Sequence, residues 1–208
     1  MPGYFSSRRL GGRTATTVKW STFPLTAVVI LVALYSTPLL AQSTASLDIA
    51  ATYNATRGGS DPNANFWMQG GSIELQAHLY RGVGVVAEVA GAHVANINSS
   101  GVNLDMVTVT FGPRFNWSLP AHGRYEFFGQ VLAGEANGFH SVFPTPNMAT
   151  DSSNSLALKL GGGLNIALSR RIALRAIEAN WLRTQFPNAT TNVQNNLSLG
   201  AGVVLRLP

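Results

Sequence analysis

The sequence predicts an all-β protein: an eight-stranded antiparallel up-and-down transmembrane β-barrel, preceded by a cleavable signal peptide. Three observations predict it. Apolar residues recur at every second position through eight segments. Short and long connectors take turns between those segments. The apolar face of each segment is nearly free of charge, while the other face mixes small residues with isolated charges. A lipid-facing wall around a narrow filled lumen requires that division.

The first element is an address. Residues 1–20 are basic and polar, and an apolar run of 13 residues follows from Phe23 to Tyr35. Thr37-Pro38-Leu39-Leu40-Ala41 then supplies a small-residue cleavage pattern. The run is short of the roughly 20 residues that span a bilayer as a helix. The expected cut is after Ala41, with Ala45 as second choice. Residues 1–41 are thus read as signal peptide and residues 42–208 as one barrel domain, exported to the outer membrane of a double-membrane envelope.

Composition narrows the function. Of 208 residues 46% are hydrophobic and only 11% are charged, the opposite of a disordered chain. The absence of cysteine excludes a disulfide scaffold and a thiolate metal site. The net charge of +5 comes mostly from Arg8, Arg9, Arg13 and Lys19 in the leader. Ten basic and nine acidic residues remain beyond them, a balance of +1. A nucleic-acid partner is therefore not expected.

The eight strands are expected at about 46–57, 67–80, 83–94, 105–117, 124–135, 154–168, 172–184 and 194–207. The last shows the period best: Leu197, Leu199, Ala201, Val203, Leu205 and Leu207 alternate with Ser198, Gly200, Gly202, Val204 and Arg206. The sixth alternates Leu156, Leu158, Leu160, Leu164 and Ile166 with Ala157, Lys159, Gly161, Gly163 and Asn165. Connectors of a few residues at 81–82, 118–123 and 169–171 face longer ones at 58–66, 95–104, 136–153 and 185–193. Strand seven carries a conflict, because Arg175 and Glu178 have opposite parity. A one-residue bulge near Ala176–Ile177 would turn both inward.

A soluble sandwich also alternates, so the faces decide. Its polar face would carry many Lys, Glu and Thr. Here that face holds Gly, Ala, Ser and Asn with Glu74, Glu88, Arg114, Glu126, Lys159, Arg175 and Arg206 spaced singly. Tyr53, Trp67, Trp117, Tyr125 and Trp181 fall near segment ends, where aromatic rings suit the headgroup level.

Gly84-Val-Val-Ala-Glu-Val-Ala-Gly91, Phe111-Gly-Pro-Arg-Phe115 and Gly161-Gly-Gly-Leu-Asn165 resemble the eight-stranded outer-membrane barrels related to the OmpA and OmpX barrel domains. The resemblance covers essentially all of 46–208. The end is similar to the terminal-strand signal of that family, a glycine followed by hydrophobic residues three and five positions on: Gly202, Leu205 and Leu207. It implies partners in biogenesis, namely periplasmic chaperones and the barrel-insertion machinery, and a monomer in outer-membrane lipid. The terminal aromatic of the family is Leu207-Pro208 here. A peptidoglycan-binding domain does not follow the barrel, so cell-wall tethering is not carried over.

Glu74, Glu88, Arg114, Glu126, Lys159 and Arg175 are expected to converge in the lumen as a structural charge network, with Arg114 answering Glu88. An eight-stranded interior is only wide enough to be filled by side chains. His78, His93, His122 and His140 show no metal-ligand spacing, so no metal or other cofactor is expected. His140-Ser141 invites a lipid-hydrolase reading, but adjacent residues in a loop rarely make a nucleophile and its base. Gly161-Gly162-Gly163 lacks the Lys and helix of a phosphate loop and reads as close strand packing. The five Asn-X-Ser/Thr sequons, at Asn54, Asn98, Asn116, Asn188 and Asn196, are read as chance. The expected role is non-enzymatic: envelope integrity or surface interaction through four exposed loops. The alternatives are a narrow pore for small solutes and an envelope lipid hydrolase.

Overall fold

The computed structural model describes residues 46–59, 65–95, 97, 101–119, 123–144, 148–188 and 191–207. The leader and His122 lie outside them. The chain forms eight antiparallel strands: β1 (Leu47–Gly59), β2 (Asn65–Tyr80), β3 (Val83–Val94), β4 (Leu104–Ser118), β5 (Tyr125–Pro144), β6 (Ala149–Ala167), β7 (Ile172–Thr184) and β8 (Gln194–Leu207). Each pairs with its neighbours in sequence, and β8 returns to pair with β1, closing the barrel.

The register sets the shape. From Phe115 the ladder runs through Gly129, Gly162, Ala179, Leu199, Ala55, Gln69 and His93, and returns to β4 at Asp105. One circuit therefore climbs 115 − 105 = 10 residues. Ten rises of about 3.3 Å against eight strand spacings of about 4.8 Å give a strand tilt of about 40°.

At one end the connectors are short. β2 and β3 are joined by Arg81 and Gly82 alone, both at positive φ (36° and 82°), as a two-residue hairpin demands. A Cβ on Gly82 would stand 2.5 Å from the Asn116 carbonyl oxygen. Gly82→Ala is accordingly expected to cost about 1–2 kcal/mol, measured as a lowered urea midpoint with unchanged slope. Just before this turn a bulge at Leu79 shifts the register between His78 and Tyr80. Leu79 and Tyr80 both face outward as a result, although simple alternation would put Tyr80 inside.

At the other end β5 and β6 outreach their neighbours. The expected loop at 136–153 is mostly strand, since β5 continues to Pro144 and β6 begins at Ala149. The segment has no apolar alternation to reveal it, because its pairing is carried by backbone groups between polar side chains. A register shift between Phe139 and Phe143, with His140 at φ 55°, also breaks its period. Even positions such as Ala136 and Gly138 point inward before the shift, and Phe143 points inward after it.

β7 contains the bulge anticipated from Arg175 and Glu178. Leu164 pairs with Ile177 and Asn165 with Arg175, which leaves Ala176 as the extra residue. Both charged side chains are buried in the lumen. The outer surface is apolar along its middle, where Ile73, Val89, Phe111, Val131, Leu160, Ile177 and Val203 are exposed.

Candidate functional site

The lumen is filled in layers. The central layer holds six buried charges from five strands: Glu74, Glu88, Arg114, Lys159, Arg175 and Glu178. Arg114 Nη2 lies 2.7 Å from Glu74 Oε2, and Arg175 Nη1 lies 2.6 Å from the same oxygen. Arg175 Nη1 also reaches Glu178 Oε2 at 2.7 Å. Lys159 Nζ pairs with Glu88 Oε1. Arg114 donates further to Gln76 (3.1 Å) and Gln130 (2.9 Å from Nε). Gln130 in turn donates to Glu178 and Asn180, and Arg175 donates to Asn165. The guanidinium carbons of Arg114 and Arg175 lie 4.4 and 4.7 Å from the centre of the Phe128 ring, close enough for cation–π attraction in a desolvated site.

The charges sum to zero. Three carboxylates, each with one oxygen within 4.8 Å of one oxygen of the other two, are met by two guanidiniums and one ammonium. The network thus neutralises its formal charge with the chain's own side chains. Buried charges persist only when paired and hydrogen-bonded.

The glycine run on β6 makes the room. A Cβ on Gly163 would strike the Ile177 carbonyl oxygen and stand 2.8 Å from the Phe128 ring, and one on Gly161 would strike Asn180. Gly163→Ala is expected to push Phe128 off the guanidiniums and cost about 1–3 kcal/mol by overpacking. Urea unfolding measures that loss, and an unchanged midpoint would refute the packing role.

Two expectations are corrected. Arg114 pairs with Glu74 rather than Glu88, and Glu88, directly opposite Glu74 in the β2–β3 ladder, is met by Lys159 instead. Glu126 stands apart from the network, half-buried near the turn end, where Arg206 Nη2 lies 3.4 Å away and Asn165 donates to it. There it joins Asp48 and His78, which are 3.0 Å apart, at a polar opening also lined by Arg170 and Arg171. Gln130 and Phe128 belong to the centre without having been singled out, and Glu178, which the expected bulge in β7 turns inward, joins them. The parity conflict at β7 was the one sequence signal for Glu178.

Toward the loop end the filling turns apolar. Met68, Met106, Ala136, Phe143, Ala157, Leu182 and Phe186 form a buried cluster across the lumen. Above it opens a cavity of about 380 Å³, lined by residues that include Phe66, Met68, Leu104, Met106, Phe143 and Phe186.

On the outer wall near the same end, His93 Nδ1 and His140 Nδ1 lie 2.6 and 2.7 Å from the two oxygens of Asp105. These bonds, first from His140 and then from His93, hold the Asp105 carboxyl below its usual range. Asp105 is the second residue of β4, beyond the apolar belt. Ser141 lines the interior cavity, whereas His140 is tied to Asp105 on the wall, so the adjacent pair is divided between the two faces of the sheet.

No protein-family model matches the chain, and no curated protein matches it in sequence. Solved structures do. Neisserial surface protein A superposes with a TM-score of 0.58 at 11% identity, over 76% of this chain and 96% of that one. The attachment invasion locus protein Ail of Yersinia pestis superposes with a TM-score of 0.51 at 16% identity, over 79% of this chain and 100% of that one. With its closed meander of eight strands, the chain has the fold of the small eight-stranded outer-membrane β-barrels.

Proposed function

We propose that the protein is a sealed, non-enzymatic barrel spanning the outer membrane, which serves envelope integrity or surface interaction through its loops. The observation that carries this reading is the self-neutralising charge network buried across the lumen. A water-filled path would need those side chains to part, and each pair broken in a dry interior is costly.

The outer wall supports the membrane. Its apolar belt ends near the loops in Arg57, Glu135 and Arg183, whose side chains face outward. Glu135 is level with Ala51 along the ladder, through Ile73, Val89 and Val109. Four strand steps up the tilt raise it about 12 Å above Ala51, to the edge of a band about 25 Å tall. In this reading the leader 1–41 directs export. Periplasmic chaperones and the insertion machinery then handle the chain, the latter through Gly202, Leu205 and Leu207, and the monomer sits in outer-membrane lipid. The short turns after β2, β4 and β6 face the periplasm, and the opposite end of the barrel faces outside.

Planar-bilayer recording tests the seal. No steady conductance is expected, and a stable open level would overturn the sealed barrel in favour of a narrow pore. Cell fractionation with heat-modifiable gel migration tests location: a boiling-dependent shift in the outer-membrane fraction is expected, and a soluble, unshifted band would refute it.

A further inference from the structure

The cavity at the loop end has a chemistry of its own. Among the described residues, none of the 17 that line it is charged. Its floor is Met68, Met106 and Phe186, which cap the buried apolar cluster, so the space is a cup closed below rather than a stretch of channel. Its volume of about 380 Å³ lies within the range of small-ligand pockets. Polar groups gather along the β7–β8 side, where Thr184, Gln194 and Asn196 line it. The Gln194 amide is already fixed, since Phe186 N donates to Oε1 (2.8 Å) and Nε2 donates to Phe186 O (2.9 Å).

The wall is built by a strained device. β5 extends past its neighbours, and within the extension His140 adopts φ 55°. That residue reverses the parity of the strand and turns Ser141 and Phe143 into the cup. Asp105 holds His140 from outside at 2.7 Å. A non-glycine residue in this region costs energy, and such strain persists where the surroundings impose it.

We propose that this cup binds a small uncharged molecule with an apolar body and one hydrogen-bonding end, as in a medium-chain alcohol or ester. The apolar walls would be covered by its body. The described lining residues offer an ionic headgroup no counter-charge, and the Thr184–Asn196 edge offers the polar end its partners. This inference does not depend on the lumen's being non-conducting.

Methyl NMR of the folded protein in lipid nanodiscs, labelled with ¹³C-methyl methionine, tests it. Met68 and Met106 report from the floor, and Met148, which is 70% exposed and outside the cup, serves as control. Titration with decan-1-ol is expected to shift Met68 and Met106 saturably and leave Met148 in place. Decanoate and decyltrimethylammonium should need at least about tenfold more to do the same, because an unpaired charge resists burial. Leu104→Asp and Leu104→Trp, which charge or fill the wall, should each abolish saturation while the spectrum stays that of a folded barrel. Linear drift of all three methyls would mean partition into lipid alone and would overturn the proposal. So would equal saturation by decanoate, no shift of Met68 and Met106, or undiminished binding in both folded variants.

Discussion

Arg175→Ala is expected to lower the unfolding free energy of the barrel by about 3–5 kcal/mol. Arg175 holds two carboxylates, Glu74 at 2.6 Å and Glu178 at 2.7 Å, and is itself almost fully buried. Its removal leaves Glu178 with only the amides of Asn180 and Gln130, so a buried charge loses its counter-charge. Arg175→Met combined with Glu178→Leu should be much milder. That pair of changes removes one charge of each sign and leaves Glu74 with Arg114 and Glu88 with Lys159. Reversible urea unfolding in lipid vesicles, for wild type, both single variants and the double, measures the coupling. Equal losses in single and double variants, or a loss under about 1 kcal/mol as for an exposed pair, would show that these side chains do not share a closed lumen.

Lys159→Met is expected to cost a similar amount, about 3–5 kcal/mol. Lys159 is the cation that meets Glu88, whose carboxylate lies among those of Glu74 and Glu178. Without it three acids face two guanidiniums. Adding Glu88→Leu should restore most of the loss. The two ion-pair sets are close enough to interact, so Lys159→Met and Arg175→Ala should not be additive. The same vesicle unfolding measures this, and strict additivity would refute a single network. Arg114→Ala belongs to the series with a smaller loss, because Glu74 would keep Arg175.

Much of the barrel was legible because a strand wall with lipid or solvent on one side and a lumen on the other writes a period of two into the residues. β1 to β4, β7 and β8 lie within two residues of where alternation places them. Even the bulge in β7 was legible, since two charges of opposite parity cannot both avoid the outside on a regular strand. The ends of β5 and β6 were not. Above the apolar belt both faces meet polar surroundings, so pairing there depends on backbone groups and leaves no pattern in the side chains.

Away from the irregularities at Leu79 and His140, the sequence alone determined which residues face inward, and hence that the lumen must hold charges of both signs. It could not determine which charge meets which. Parity is a local property, set by one strand at a time. Pairing depends on how far the ladder climbs per strand and on where bulges shift it, which bring Arg175 to Glu74 across 101 positions of sequence. Only the closed structure, by its tilt and its glycine-made space for Phe128, decided that Arg114 meets Glu74, that Lys159 meets Glu88, and that Glu126 stands apart. The cup at the loop end was decided the same way, because its floor and walls are drawn from strands that approach one another only when the sheet closes.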